Sequence, residues 1–281
     1  MRTYMIGLYE KAMPMQLSWK EKLEIAKAAN YDYVEMSIDE TDEKLARLDM
    51  TKKDRLELIE TMYDVGIPIR TMCLSGHRKY PLGSSNYEIS NKSLEIMEKA
   101  IKLADDLGIR VIMIAGYDVY YENSTSETQK RFFENVKKAV LMAAKYGIML
   151  GFETMETEFM NTVWKAMFFI KNINSPYLGI YPDSGNIKNA SLLYGSDVYD
   201  DLKSGVGHIF SLHLKETLPG KFREVPYGSG HVDFEKTIKT AWSIGVRRYV
   251  TEFWYMGNKN WKEDLININK KMRKILDAMT D

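Results

Sequence analysis

The sequence has almost no cysteine, no net charge and no long apolar run, and each lack excludes a class of protein. With Cys73 as the single cysteine, no disulfide can form within the chain, which fits a reducing compartment. The 39 basic and 39 acidic residues cancel, whereas nucleic-acid-binding proteins carry clustered positive charge. No apolar stretch approaches the roughly 20 residues that cross a bilayer, and the charged N-terminus does not resemble a signal peptide. We expect a soluble cytoplasmic protein with no nucleic-acid or membrane partner.

Short apolar runs alternate with longer segments of helical periodicity along the whole sequence. The eight runs, which predict β-strands, are Met5–Tyr9, Tyr33–Ser37, Ile69–Leu74, Val111–Ala115, Ile148–Glu153, Leu178–Asp183, His208–Leu214 and Arg248–Phe253. The helical segments include Trp19–Ala29, Lys53–Val65, Asn86–Leu107, Glu127–Tyr146 and Trp261–Met279. Helix-ending glycines are expected at Gly66, Gly108, Gly147 and Gly245.

This alternation predicts an α/β fold built from βα units. Eight units in 281 residues favour a (β/α)8 TIM barrel, an eight-stranded parallel barrel with outer helices, as a single domain over residues 1–281. No G-x-G-x-x-G motif opens the first helix, so a dinucleotide-binding fold has no support. The charged run Asp39–Lys44 is expected to be a solvated loop.

Four residues of metal-binding type stand at the ends of four successive strand segments: Glu153, Asp183, His213 and Glu252. The carboxyl ends of barrel strands converge on one mouth, so these side chains are expected to meet there. Taken singly, each acidic residue is more typical of a loop, a turn or a helix cap; their consecutive placement favours a site. Three carboxylates and an imidazole suit one divalent metal ion, with Mn²⁺ or Zn²⁺ as first candidates and Co²⁺ or Mg²⁺ as alternatives.

The alternation of side chains along a strand gives an internal check on this site. If Glu153 and Asp183 point into the barrel, their strands place small or polar residues inside and large aliphatic residues outside. On the seventh segment, an inward His213 predicts that Lys215 points inward and that Phe210 faces the helices.

The other three histidines carry different expectations. His208 begins its strand segment, away from the mouth, which indicates a structural role. His77 follows the third segment at the mouth, where a substrate contact and a loop hydrogen bond are both open. His231 is expected to be a loop residue.

Six segments of the chain resemble the L-ribulose-5-phosphate 3-epimerases, also called L-xylulose-5-phosphate 3-epimerases, of the xylose isomerase-like barrel superfamily. They are Tyr9–Ala12, Val34–Glu43, Met72–Arg78, Ala115–Tyr121, Tyr181–Asn186 and His213–Thr217. The resemblance extends from about residue 4 to about residue 255. Related sugar epimerases carry a histidine three residues after the metal-binding aspartate, and this chain has Asn186 there. That departure disfavours free ketohexoses more than phosphorylated pentuloses.

The resemblance implies a metal-dependent isomerase that inverts C3 of a ketopentose 5-phosphate, L-ribulose 5-phosphate or L-xylulose 5-phosphate. It implies a metal held by Glu153, Asp183, His213 and Glu252, with the two glutamates also acting as catalytic acid and base. The reaction would pass through an enediolate. An aldose–ketose isomerase and a non-catalytic sugar-phosphate-binding barrel are the alternatives, and the chain is compatible with a homodimer.

A phosphorylated substrate needs hydrogen-bond donors at its far end. The candidates are Lys215, His77, Arg78 and the backbone N–H groups of Gly228 and Gly230, which follow the seventh strand segment. The glycines are equally compatible with an ordinary turn.

Overall fold

The computed structural model describes residues 3–280, and eight parallel strands form its inner sheet. They are β1 (Met5–Tyr9), β2 (Tyr33–Ile38), β3 (Ile69–Leu74), β4 (Val111–Ala115), β5 (Met149–Glu153), β6 (Leu178–Tyr181), β7 (Leu212–Leu214) and β8 (Arg248–Thr251). The strands lie in the order β6-β5-β4-β3-β2-β1-β8-β7. Two isolated parallel bridges, Ile180 with Ile209 and Asp183 with His213, connect β6 to the β7 segment. The predicted parallel barrel is confirmed.

Helices surround the sheet in the connections between strands. They are α1 (Trp19–Ala28), α2 (Asp42–Ala46), α3 (Lys52–Val65), α4 (Tyr87–Leu107), α5 (Ser126–Ala144), α6 (Val163–Ile173), α7 (Ser184–Tyr194), α8 (Val198–Ser204), α9 (Phe234–Ser243) and α10 (Trp261–Asp277). Gly66 and Gly108 end α3 and α4 in the left-handed conformation, with φ of 76° and 74°, as predicted. In the described part of the chain, none of the helices has the length and apolar character of a membrane span.

The strands separate two apolar layers. Outward side chains such as Leu150, Phe152 and Ile180 belong to the large core between sheet and helices. Inward side chains form a smaller cluster inside the barrel, which consists of Tyr9, Tyr33, Cys73, Val111, Met113, Tyr181 and Val250. The alternation predicted for β5 and β6 is therefore present, and it turns Glu153 and Asp183 toward the interior.

The predicted alternation on the seventh segment is wrong at Phe210. Phe210 packs against the cluster inside the barrel rather than against the helices. Between the bridges Ile180–Ile209 and Asp183–His213, the β6 side advances three residues and the β7 side four. One extra residue on a strand reverses the face of every side chain before it, so Phe210 and His213 both point inward.

The charged run Asp39–Lys44 is a solvated loop only in part, since Thr41, Asp42 and Glu43 are exposed but Asp39 and Lys44 are buried. Asp42 begins the short helix α2, and the Lys44 side chain is buried against Glu10 with a distance of 2.7 Å between Nζ and Oε1. The buried Glu10 carboxylate also forms ion pairs with Lys22 and Arg47. Pairing with the buried Glu10 carboxylate offsets the cost of burying the Lys44 ammonium group. The charge pattern of the run alone does not reveal this partner.

Candidate active site

The four residues of the predicted metal site meet at the carboxyl end of the barrel. Glu153 ends β5, Asp183 follows β6 by two residues, His213 is the middle residue of β7 and Glu252 directly follows β8. One ligand atom of each lies within 4.8 Å of those of the other three. Glu153 and Glu252 are 99 positions apart in the sequence. They belong to one cluster because the barrel brings its strand ends together.

The four residues differ in their access to the cavity above them. Asp183 and His213 are 0% exposed, whereas Glu153 and Glu252 are each 5% exposed. The two glutamates line a cavity of about 260 Å³ at the barrel mouth. A small molecule in this cavity could therefore contact the glutamates directly, while Asp183 and His213 lie beneath them.

Burial and neighbouring charges shift the pKa values of the three carboxyl groups in different directions. Burial, together with the neighbouring Glu252 carboxylate, raises the pKa of Glu153 to about 8. Burial also raises the pKa of Asp183 to about 7, against the opposing charge of Lys215. Burial alone would raise the pKa of Glu252, but Lys215 and His213 outweigh it and lower that pKa well below its usual range. Burial and the neighbouring charges thus raise the pKa of one cavity glutamate and lower that of the other.

The cluster fits a divalent cation. Asp183 Oδ2 is buried and accepts no hydrogen bond from the described residues, although Lys215 Nζ lies 3.0 Å away. Lys215 supplies one positive charge against the three carboxylates of the cluster, so negative charge remains for a divalent cation to neutralise. Three carboxylates and one imidazole are ligands that Mn²⁺, Co²⁺ and Zn²⁺ accept.

Lys215 lies within this cluster. Its Nζ donates to Asn186 Oδ1 at 2.9 Å and is 3.9 Å from Glu252 Oε2. The Asn186 side chain is fixed because its amide donates to the Thr154 carbonyl at 2.7 Å. Both Lys215 and Asn186 line the cavity, so Lys215 faces inward as predicted and can reach a bound molecule.

Neither of the two candidate phosphate-binding glycines after β7, Gly228 and Gly230, lines the cavity. The Gly228 N–H donates to Glu216 Oε2 at 3.0 Å, and the Val232 N–H donates to Glu216 Oε1 at 3.0 Å. Gly230 packs so closely on Glu216 and Thr217 that an added Cβ atom would overlap with them. The loop is therefore a turn around the buried Glu216 carboxylate, which accepts the N–H groups of Gly228 and Val232.

His77 is also turned away from the cavity. Its ring is buried, and Nε2 lies 3.1 Å from the Ser93 carbonyl oxygen on α4. Of the two interpretations that the sequence left open, this contact matches the loop hydrogen bond. Burial lowers the pKa of His77 to about 4, so its ring is neutral at physiological pH.

Arg78 does line the cavity, as the sequence predicted, and two further cations join it there. Its guanidinium carbon lies 4.8 Å from the centre of the Tyr120 ring, and its closest carboxylate oxygen, on Glu40, is 3.9 Å away. Lys11 and Arg223, which sequence reasoning missed, also line the cavity. Each is paired with a carboxylate, Lys11 with Asp39 at 2.5 Å and Arg223 with Glu156 at 2.9 Å.

Glu35 is a further buried carboxylate that sequence reasoning did not assign to the site. It lies in the middle of β2, and its Oε1 is 2.6 Å from His213 Nε2. The strand pattern contained the signal, because Tyr33, Glu35 and Ser37 alternate with the apolar Val34, Met36 and Ile38. That alternation places Glu35 inside the barrel with His213.

Comparison with known proteins agrees with this fold. The family described as xylose isomerase-like TIM barrel matches residues 23–271. The L-ribulose-5-phosphate 3-epimerases UlaE of Escherichia coli O157:H7 and Shigella sonnei are each 43% identical to the chain over 250 residues, which are 89% of this chain and 87% of theirs. Such identity over nearly the whole length supports the expectation of an isomerase of the epimerase type.

Solved structures share the fold at much lower sequence identity. A D-tagatose 3-epimerase-like protein superposes with a TM-score of 0.79 at 18% identity and covers 99% of this chain and 100% of its own. An L-ribulose 3-epimerase superposes with a TM-score of 0.73 at 17% identity and covers 98% of this chain and 94% of its own. The chain belongs to the L-ribulose-5-phosphate 3-epimerase family of xylose isomerase-like TIM barrels.

Proposed function

We propose that the protein inverts C3 of a ketopentose 5-phosphate and interconverts L-ribulose 5-phosphate and L-xylulose 5-phosphate with one divalent metal ion. The names of its relatives, 43% identical over 250 residues, support this substrate class. The observation that carries the proposal is the exposure of the cluster: Glu153 and Glu252 reach the cavity, and Asp183 and His213 do not. Two carboxylates beside one substrate suit a reaction that removes a proton and returns one.

The C3 proton of a 2-ketose is acidified by the neighbouring carbonyl group. Inversion requires that one group removes this proton and that another delivers a proton to the opposite face. Glu153 and Glu252 are the groups available for these two steps, because both reach the cavity and the other two residues of the cluster do not. The same pair exchanges roles in the reverse direction.

The ion would be held by Glu153, Asp183, His213 and Glu252. When bound, it would supply Lewis-acid stabilisation of the negative charge that develops on the sugar oxygens of an enediolate. Lys215 brings a second positive charge to the same region, since its Nζ lies among the carboxylates and lines the cavity. A preorganised cation at that position stabilises developing charge without rearrangement.

Arg78 is the proposed contact for the phosphate group. Its Nε is buried and makes no hydrogen bond to the described residues, and Glu40 at 3.9 Å is too distant for a hydrogen bond. The guanidinium group therefore has donors to spare, and its planar fork matches a phosphate. Lys11 and Arg223 already hold carboxylate partners at 2.5 Å and 2.9 Å, so they are less available.

Proton NMR in D₂O tests the function. The purified protein is incubated with Mn²⁺ and L-xylulose 5-phosphate, and a chelator-treated sample serves as control. We expect L-ribulose 5-phosphate to appear together with deuterium at C3. An aldose product with deuterium at C2, or ketose labelled at C1, would instead identify an aldose–ketose isomerase. Binding without exchange would identify a sugar-phosphate-binding barrel.

A further inference from the structure

Glu35 is a buried carboxylate whose two oxygens have separate partners. Oε2 accepts hydrogen bonds from Thr71 Oγ1 at 2.7 Å and from the Tyr181 hydroxyl at 2.8 Å. Oε1 lies 2.6 Å from His213 Nε2. Residues of β2, β3, β6 and β7 thus form one hydrogen-bonded group inside the barrel, and Glu35 is 0% exposed within it.

The two nitrogens of His213 consequently face different surroundings. Nε2 is directed at Glu35, while Nδ1 is directed at the carboxylate cluster, 2.8 Å from Glu252, 3.9 Å from Glu153 and 4.0 Å from Asp183. A carboxylate that accepts the Nε2–H bond keeps the proton on Nε2 and leaves the Nδ1 lone pair for a metal ion. The orientation of the ring and its tautomer therefore depend on Glu35.

We infer that Glu35 is a positioning residue, which holds His213 in the tautomer and orientation that bind the metal ion and so sets the affinity of the site. This inference rests on the proposed metal site but not on the proposed reaction. Thr71 and Tyr181 support Glu35 in turn, because their hydroxyl groups fix Oε2 and thereby direct Oε1 at the imidazole. Glu35 does not line the cavity, so its proposed effect on the ion passes through His213.

Metal affinity in the absence of substrate tests the inference. The metal-free wild type and the Glu35→Gln variant are titrated with Mn²⁺ by calorimetry, after matching melting temperatures show that both are folded. Loss of such a carboxylate partner typically weakens metal binding 10- to 100-fold, and we expect a loss of about that size. Glu156→Gln is the matched control, since Glu156 lines the cavity but does not belong to the cluster, and it should bind Mn²⁺ within about threefold of wild type.

Glu35→Gln binding within threefold of wild type would overturn the inference, and so would a wild type that binds no divalent ion. If the variant does not fold, nitrogen-15 NMR of the Zn²⁺-loaded wild type decides instead. A proton on His213 Nε2 and none on Nδ1 is expected, and the reverse tautomer would refute the role of Glu35. A wild type that binds Mn²⁺ but does not epimerise refutes the proposed reaction and leaves the inference on Glu35 standing.

Discussion

Lys215 Nζ lies 3.0 Å from Asp183 Oδ2, so the chain places its own cation within a cluster of three buried carboxylates. Three carboxylates alone would repel one another strongly in a site of low dielectric constant. Lys215 relieves part of that repulsion. Burial tends to raise the pKa of Glu252, and the charge of Lys215 is the largest of the influences that lower it. Glu252 thus owes its lowered pKa in part to this lysine.

Replacing Lys215 with Met should therefore impair the reaction without loss of the metal ion. We expect kcat to fall about 10²- to 10³-fold, the loss typical when a preorganised charge beside the reacting atoms is removed. Because Lys215 lowers the pKa of Glu252, its removal raises that pKa, and the acidic limb of the pH–rate profile should move to higher pH. Lys221→Met, at an exposed position, is the control. Unchanged kcat with an unshifted profile would exclude this role.

His213→Ala should weaken Mn²⁺ binding by more than about 100-fold. Loss of a residue that only supports a metal ligand typically weakens binding by up to about that factor, and His213 is itself a proposed ligand. The fold should persist, because the remaining barrel contacts are unchanged. His208→Gln is the matched control: His208 is exposed and lies before β7, at the opposite end of the barrel. Bound metal is measured after dialysis. Full occupancy in His213→Ala, or metal loss in His208→Gln, would show that the two histidines are wrongly assigned.

Arg78→Met should discriminate between phosphorylated and unphosphorylated substrates. If Arg78 binds the phosphate group, the variant should raise KM for the ketopentose 5-phosphate by roughly tenfold or more, consistent with the loss of a charge-assisted hydrogen bond. The kinetic constants for the free ketopentose should be unaffected. Steady-state kinetics with both substrates measure the difference. Equal losses with the two substrates would mean that Arg78 acts on the site through its contact with Tyr120 instead.

Glu10→Gln should destabilise the fold by about 3–5 kcal/mol, because it leaves Lys22, Lys44 and Arg47 around a neutral side chain. These cations outweigh the effect of burial and lower the pKa of Glu10. Its contribution is therefore fully present above the unfolded pKa of about 4.3 and is lost as pH falls through the lower folded pKa. Urea unfolding should show the variant and wild type converging below about pH 4.

The control for this comparison is Glu24→Gln, which removes the same charge from an exposed position of α1 and should change the free energy of unfolding by less than about 0.5 kcal/mol. A Glu10→Gln protein as stable as wild type at neutral pH would mean that the buried ion pairs contribute no net stability.

Local pattern was sufficient to predict the barrel and the metal-site candidates. The bounds predicted for β1, β3 and β4 coincide with those of the structure, since each is a short apolar run between polar residues. Glu153, Asp183, His213 and Glu252 could be found because each closes such a run. The strand period and the parallel barrel then force them to converge.

Contacts between distant segments were not predictable in the same way. The bond between Glu35 and His213 joins positions 178 residues apart. The extra residue near Phe210 depends on pairing with β6, which leaves no trace in the sequence of β7 alone. The loop around Gly228 and Gly230 has the composition of an anion-binding turn, but its anion is the side chain of Glu216.

Deuterium exchange by Glu153→Gln and Glu252→Gln tests the two-carboxylate reaction most directly. Each variant is loaded with Mn²⁺, its metal content is confirmed, and it is incubated in D₂O with each epimer separately. Since each variant lacks one half of the proton transfer, neither should interconvert the epimers, yet each should exchange the C3 proton of the one epimer whose proton faces the remaining carboxylate. The predicted result is therefore reciprocal, with Glu153→Gln labelling one epimer and Glu252→Gln the other. Net epimerisation by either metal-loaded variant, or deuterium at C1 alone, would contradict C3 inversion by these two glutamates.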